Sequence, residues 1–181
     1  NTGYNKFSVR ANMEAKINKR LKFNTNIAVY RSNMTAPAAG ISNLMHYAFR
    51  ETPVTPIQLT NGNYTLFKNE HNSVAYAREG GIYKEIGSNF QGSTGMELDI
   101  VDGLKLKGIA ATTFNLTDNP THVNTMTFYQ AGSDTPVKTT TNSITNYDIK
   151  NIELNLQAYL DYGKTFGKHT IGAMLGYSQI Y

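Results

Sequence analysis

Strict alternation between apolar and polar residues is the feature that most constrains this sequence. Over residues 7–17, every odd-numbered residue is apolar and every even-numbered residue is polar or charged, from Phe7 and Ser8 to Lys16 and Ile17. A β-strand points successive side chains to opposite faces, whereas a helix repeats about every 3.6 residues. The segment therefore predicts a strand with one apolar face and one polar face.

The same pattern recurs in pairs of segments separated by a short polar turn, which is the pattern of a β-hairpin. The three predicted hairpins join residues 7–17 to 21–30, 90–100 to 104–115, and 152–162 to 169–179. Their predicted turns cover residues 18–20, 101–103 and 163–168. We therefore predict an all-β chain, an antiparallel hairpin array without an internal domain boundary.

The predicted strands are long and their connections are unequal. A strand of roughly 9–11 residues crosses a bilayer at a tilt, whereas strands of globular proteins are most often about 5–6 residues long. The connections between hairpins, residues 32–86 and 116–147, are much longer than the turns within them. Short turns on one side and long extracellular loops on the other are typical of outer-membrane barrels.

In the first loop we expect a helix over residues 41–50, and we expect the Thr/Asn-rich second loop to be poorly ordered.

Six such strands are too few to close a membrane barrel, because the smallest contain about eight. We therefore expect residues 1–181 to be a segment of a larger transmembrane β-barrel. The sequence begins at Asn1 without an initiator Met, and contains neither a signal peptide nor a plug domain that we recognise.

Composition excludes several classes of protein. The mean hydropathy is −0.41 and no apolar run reaches the roughly 18 residues that a membrane-spanning helix needs. The net charge of +4 comes from scattered basic residues, which gives no support to nucleic-acid binding. There is no cysteine, and the four histidines share no metal-ligand spacing, so we expect no disulfide, metal or cofactor. No catalytic motif is present, and we expect no enzyme.

Glu97 and Asp99 form a carboxylate pair on one strand face. Such a pair can bind a cation or serve acid/base chemistry. Across the predicted turn, however, the register sets them opposite Lys107 and Lys105, and we expect a cross-strand charge ladder instead.

Aromatic residues in the two long loops are the best candidates for contact with a substrate or a partner. Aromatic faces stack on sugar rings and anchor partner proteins. The alternative is that they pack the loops against each other, since large loops need a small core of their own. The candidates are Tyr47, Phe49, Tyr64, Phe67, Tyr76, Tyr83, Phe128 and Tyr129.

A soluble or surface β-sandwich that binds carbohydrate is the alternative to a membrane barrel, because sandwich strands also alternate. Small residues such as Ala11, Gly92 and Ala158 on the apolar face would pack a protein core poorly, which favours lipid as the neighbour. The two alternatives differ in one respect that a structure can reveal. A sandwich would bury its apolar face between two layers.

Four stretches together resemble the barrel of SusC/RagA-type TonB-linked outer-membrane proteins, and the resemblance covers nearly the whole chain. They are residues 4–12 (YNKFSVRAN), residues 53–56 followed by 61–64 (PVTP, NGNY), residues 102–107 (DGLKLK), and residues 166–171 leading to 176–177 (FGKHTI, GY).

This resemblance implies a nutrient importer of the bacterial outer membrane with a barrel of about 22 strands. It also implies an N-terminal plug and coupling to TonB, which would be reached through a region outside this sequence. A SusD-like surface lipoprotein would act as a lid over the extracellular mouth. The strands would be a scaffold in outer-membrane lipid, and the loops would contact the lid and an oligosaccharide or peptide substrate.

Overall fold

A computed structural model of the chain describes residues 2–68 and 70–181. Most of these residues lie in β-strands, and two short helices lie between them. In chain order the elements are β1 (Gly3–Lys16), β2 (Leu21–Pro37), α1 (Ile41–Arg50), β3 (Tyr64–Thr65), α2 (Ser73–Arg78), β4 (Gly81–Val101), β5 (Leu104–Asp118), β6 (Thr121–Val123), β7 (Thr127–Tyr129), β8 (Pro136–Thr139), β9 (Ser143–Thr145), β10 (Asp148–Phe166) and β11 (His169–Ile180). Neither helix of the described residues is long and apolar enough to cross a membrane.

One large sheet contains all the predicted hairpins, so the all-β, mostly antiparallel prediction is confirmed. Its strands lie in the order β1-β2-β4-β5-β10-β11, and β6 and β9 extend it beside β4. The antiparallel register of β10 and β11 sets Leu160 opposite Leu175 and Ala158 opposite Tyr177. The apolar residues of the two strands therefore lie on the same face of the sheet, as the alternation predicts.

The strands extend further than the alternation indicates. β4 has 21 residues and β10 has 19, because pairing continues beyond the apolar pattern. The turn predicted over residues 163–168 is wrong, since β10 continues to Phe166 and only Gly167 and Lys168 remain between the strands. Gly167 has a φ of 59°, the left-handed conformation that two-residue hairpin turns require.

The two long connections between the hairpins contain helices and short strands of their own. The predicted helix over residues 41–50 is confirmed as α1. The Thr/Asn-rich connection, predicted to be poorly ordered, instead contains the short strands β6 to β9. β7 and β8 form a short hairpin around Gly132, whereas β6 pairs with β4 and β9 over longer separations in the sequence.

The chain divides into two compact units. The strand unit consists of Lys6–Arg31, Gly87–Leu116 and Ile149–Tyr181, which closely match the three predicted hairpins. The loop unit consists of Ser32–Ile86 and Thr117–Asp148 with the first residues of the chain.

The apolar face of the strand unit is uncovered. Val9 is 53% exposed, Ile27 41% and Leu156 39%. Every buried apolar residue among the described parts of the chain belongs to the loop unit. The second layer that a β-sandwich would place over this face is therefore not observed in the described residues.

Ion pairs on the polar face of the strand unit follow the predicted ladder in part. Lys105 Nζ lies 3.0 Å from Glu97 Oε1 and 3.4 Å from Asp99 Oδ1, so one lysine bridges both carboxylates. Lys107 does not pair with Glu97 as predicted. Its Nζ lies 3.1 Å from Asp161 Oδ2 on β10, because the neighbouring strand offers a second partner that the hairpin alone does not reveal.

The loop unit has a core of its own. The sheet β3-β7-β8 carries part of it, with β3 and β7 parallel and Tyr64 opposite Phe128. The core residues are Tyr64, Leu66, Ala75, Met126 and Phe128, with Tyr76 packed against them.

Gly81, the first residue of β4, provides a test of the pairing between β4 and β6. Its φ is +106°, and an added Cβ would lie 1.9 Å from the carbonyl oxygen of His122 on β6. Gly132 also has positive φ, at +78°, but a Cβ there meets open space. We expect Gly132→Ala to destabilise the chain by about 1–2 kcal/mol, the cost of left-handed backbone alone.

We expect Gly81→Ala to cost at least about 3 kcal/mol, because it adds a clash with backbone to the same strain. Urea unfolding of the two variants, with amide hydrogen exchange of β6, measures the difference. Equal costs would show that the close approach of β6 is not required.

Candidate functional site

The structure places the eight predicted loop aromatics in different surroundings. Tyr64, Phe67 and Phe128 are buried, and Tyr76 packs against the core that contains Tyr64 and Phe128. The rings of Tyr47, Tyr83 and Tyr129 are half-buried. Phe49 is 80% exposed. Four of the eight are therefore buried or pack against the core of the loop unit, and Phe49 has its ring free in the described structure.

An aromatic cluster with one histidine links the two helices to β7 and to the segment between β3 and α2. The Tyr76 ring lies 5.5 Å from Phe128 and 6.0 Å from Tyr47, both tilted. Tyr47 stacks on the imidazole of His71, with centroids 4.7 Å apart and planes 16° apart, and Phe67 lies 5.4 Å from the same imidazole. His71 is therefore held between two aromatic rings.

The His71 side chain is the most unusual polar group in the loop unit. It is only 2% exposed, and its Nε2 has no hydrogen-bond partner among the described residues. Burial lowers the pKa of His71 below its ordinary value of 6.5, and the nearby Arg50 guanidinium lowers it further, against smaller opposing effects of Glu51 and Glu70. The imidazole is therefore neutral at neutral pH.

His71 forms part of the wall of a cleft of about 250 Å³ within the loop unit. Apolar and polar side chains both line the cleft. They are Glu51, Thr52, Pro53, Thr55, Pro56, Ile57, Thr65, Phe67, His71 and Asn72.

Asn72 and Glu51 hold the cleft in shape. Asn72 Nδ2 donates to the carbonyl oxygens of Ile57 at 2.7 Å and Thr65 at 2.8 Å, and its Oδ1 accepts from the Ala75 amide of α2. Glu51 Oε2 accepts from Ser73 Oγ at 2.7 Å. Residues on both sides of the cleft are thus tied to the start of α2, which makes its geometry fixed rather than loose.

The sequence predicts no role for His71, nor for His46, His122 and His169. The one local signal at this place is Asn72, a good helix N-cap before the segment that becomes α2. That signal predicts the helix but not the cleft, because the opposite wall comes from residues 51–57. Within residues 2–68 and 70–181, no group of three His, Cys, Asp or Glu side chains is placed to hold a metal ion.

One face of α1 presents an exposed apolar stripe. Ile41, Met45 and Phe49 are four residues apart and all exposed, while Leu44 points into the unit and is buried. Residues at this spacing lie on one side of a helix. We call Ile41, Met45 and Phe49 the α1 stripe.

Comparison with known proteins gives no family assignment. No protein-family model matches the chain. A search of curated proteins also finds no significant match.

The contribution of the aromatic cluster to stability can be measured by truncation. Phe128 is fully buried, so we expect Phe128→Ala to lower the free energy of unfolding of the loop unit by about 3–5 kcal/mol. The matched control Phe49→Ala removes the same atoms from an exposed site and should change it by less than about 0.5 kcal/mol. Urea unfolding with hydrogen exchange of α2 and β7 amides measures both. Similar losses in the two variants would contradict this core.

The neutral state of His71 predicts a pH dependence of stability. Because its folded pKa is depressed, the unfolded chain binds more protons, and stability falls as the pH drops from about 6.5 through the folded pKa. We expect His71→Phe to remove this acid-dependent loss, and His122→Phe, at an exposed histidine of the same unit, to retain it. Unfolding free energies measured from pH 8 to pH 5 test this. An unchanged slope in His71→Phe would contradict the assignment.

Proposed function

We propose that this chain is part of the β-barrel of an outer-membrane, TonB-dependent nutrient importer of the SusC/RagA type. In this proposal the strand unit is a membrane scaffold and carries no catalysis. The loop unit faces the cell exterior, where it contacts a SusD-like lipoprotein and the substrate, an oligosaccharide or a peptide. TonB would be engaged by a region outside this sequence.

The uncovered apolar face of the strand unit is the observation that carries the proposal. Large contiguous apolar surfaces are rare on proteins that face water, and they are required where a barrel faces lipid. Exposed members of this face come from both strands of the first and third hairpins and from β4, the first strand of the second hairpin. They include Phe7, Val9, Met13, Ile27, Val29, Phe90, Ile100, Ile152, Leu154, Leu156, Leu160, Ile171, Leu175 and Tyr177.

The opposite face of the same strands is polar, as the water-filled interior of a barrel requires. A hollow of about 560 Å³ lies on it, and side chains such as Arg10, Asn26 and Gln91 line this hollow. The Lys105 and Lys107 ion pairs lie on this face too. Charged groups at these positions would be costly in hydrocarbon and are stable in water.

The open sheet edges support a larger barrel. Among the described residues, β1 pairs only with β2 and β11 only with β10. An unpaired edge in lipid leaves backbone N–H and C=O groups without partners, so a membrane sheet must close. Further strands would pair with β1 and β11 in the proposed importer.

The α1 stripe is the surface that we propose for the lid. Its three apolar side chains are exposed on the loop unit, and a partner that covered them would bury two long aliphatic side chains and one aromatic ring. This contact would account for the exposure of Phe49.

Single-cysteine scanning tests the membrane orientation, and the chain is suited to it because it contains no cysteine. Spin labels would be placed one at a time along β10 in the complete importer, at Ile152, Leu154 and Leu156 and at their neighbours Glu153 and Asn155. We expect the first three to be accessible to dissolved oxygen in the bilayer, and the two neighbours to be accessible to a water-soluble relaxing agent. The alternation has a period of two because successive side chains face opposite sides.

The matched positions on each side of the strand control for local mobility. Water access at all five positions, in a chain recovered without membranes, would overturn the importer and favour a carbohydrate-binding protein in solution. Oxygen access at all five would contradict the water-filled interior.

A further inference from the structure

Two cations lie on the apolar face of the strand unit, at the end of the strands next to the long connections. On β2, Arg31 is the next residue but one after Val29. On β10, Lys150 is the next residue but one before Ile152. Successive residues of a strand face opposite sides, so both cations belong to the face that is otherwise apolar. Both side chains are exposed.

Hydrogen bonds between strands place these two cations at the same level of the sheet. Three hydrogen-bonded pairs fix the register of neighbouring strands, and they are Arg20–Asp99 for β2 and β4, Asn89–Asn115 for β4 and β5, and Gly103–Gly163 for β5 and β10. Counting along the antiparallel strands from these pairs gives one row of directly opposite residues across the four strands. We call this row the cation row, and its members are Arg31, Ser88, Leu116 and Lys150.

The next row toward the short turns is apolar and contains two aromatic rings. The same register sets its residues side by side, and they are Val29, Phe90, Phe114 and Ile152. Lys150 Nζ lies 5.7 Å from the centroid of the Phe114 ring, a cation–π contact that joins the two rows. Bands of aromatic rings mark the border between hydrocarbon and headgroups in membrane barrels. The cation row therefore lies at the level of the headgroups.

The opposite end of the apolar face has a cation of its own. Lys164 lies on the same face near the other end of β10, and its Nζ is 3.3 Å from Asp102 Oδ2. Over residues 152–162, every second residue, the one on this face, is uncharged. At about 3.3 Å per residue and a tilt of about 40°, Lys150 and Lys164 are about 35 Å apart along the membrane normal, close to the roughly 30 Å of a hydrocarbon core. The two lysines therefore mark its two borders.

The cation row differs from Lys164 in its charge balance. Among the described residues, neither Arg31 nor Lys150 forms an ion pair with a carboxylate. Asp148 precedes Lys150 by two residues, but its hydrogen bond with Asp118 raises the pKa of Asp148, so it holds a proton more readily than an ordinary carboxyl group. Strands lie about 4.8 Å apart, which separates the two cations by about 14 Å, enough for each to hold a phosphate group.

We propose that the cation row binds the phosphate groups of lipid headgroups in the leaflet next to the long connections, with the lipid chains lying over Phe90 and Phe114. A guanidinium binds a phosphate through two parallel hydrogen bonds, and an ammonium binds it as a point charge. Arg31 and Lys150 provide one of each. The inference rests on the proposed function, since it names a lipid partner for the apolar face of the same strands.

The test measures lipid binding by the complete importer in a neutral detergent. A fluorophore attached to Ser88→Cys, in the middle of the cation row, reports binding at this place. The probes are dioctanoyl phosphatidylglycerol, dioctanoylglycerol, which lacks the phosphate, and inorganic phosphate. We expect phosphatidylglycerol to bind saturably and at least about tenfold more tightly than dioctanoylglycerol. Inorganic phosphate at the same concentrations should not displace it.

Matched variants separate the cation row from the net charge. Arg31→Gln and Lys150→Gln should each weaken phosphatidylglycerol binding about fivefold, and together about thirtyfold, which corresponds to about 2 kcal/mol. The control pair Lys16→Gln with Lys22→Gln removes the same charge from the polar face and should bind as the unaltered importer does. Arg31→Lys with Lys150→Arg keeps both charges and should retain the affinity to within about threefold. Circular dichroism shows whether each variant is folded.

Three results would overturn the inference: dioctanoylglycerol binds as tightly as phosphatidylglycerol, the control pair weakens binding as much as the double variant of the cation row, or inorganic phosphate displaces the lipid at equal concentration. Any of these, with the alternating spin-label pattern of β10 retained, would reject the lipid contact and keep the importer. Conversely, selective phosphatidylglycerol binding by a chain whose β10 faces water on both sides would keep the cation row as a lipid site and reject the importer.

Discussion

The two-residue period of the β-strand governs this structure, because it forces every long strand to present two different surfaces. Backbone hydrogen bonds between strands fix the register, and the register brings like residues to the same face, as in the pairing of Leu160 with Leu175. One face then carries the ion pairs of Lys105 and Lys107, and the other carries exposed apolar side chains. A surface of this kind is stable only against an apolar neighbour, and the membrane proposal follows from that requirement.

The loop unit follows a different principle, since it buries its own apolar residues. Phe128 is enclosed on β7, and Asn72 donates to the carbonyl oxygens of Ile57 and Thr65, which joins two chain segments. Such a core gives long connections between hairpins a defined shape, and a defined shape is what a binding surface needs. Residues 51–57 form one wall of the cleft beside His71, and the hydrogen bonds of Asn72 and Glu51 join this wall to the start of α2.

Local periodicity predicted most of the strand unit. The three hairpins and α1 could be located from the sequence because their patterns are contained within each segment. The start of β4, the partner of Lys107 and the strand β6 could not, since each depends on a neighbour far away in the chain. The end of β10 and the hairpin of β7 and β8 are paired locally, but no apolar alternation marks them. The candidate site is the clearest case. Single residues such as Tyr64 and Phe128 could be singled out as aromatic loop residues, but which of them would be buried, and that His71 would be left unpaired, depends on how the loops pack.

The order of the strands in the large sheet has a consequence for how the chain folds. Each long strand lies beside the one that precedes it among the long strands, so three pairings close over turns of a few residues. The pairings of β2 with β4 and of β5 with β10 instead enclose the two connections that form the loop unit. Closing a long connection lowers the conformational entropy of the chain before the contacts that offset this loss have formed. If the loop unit forms first, its small core holds the end of β2 near β4 and the end of β5 near β10 before these strands pair. The large sheet then assembles faster, because the long connections are already closed.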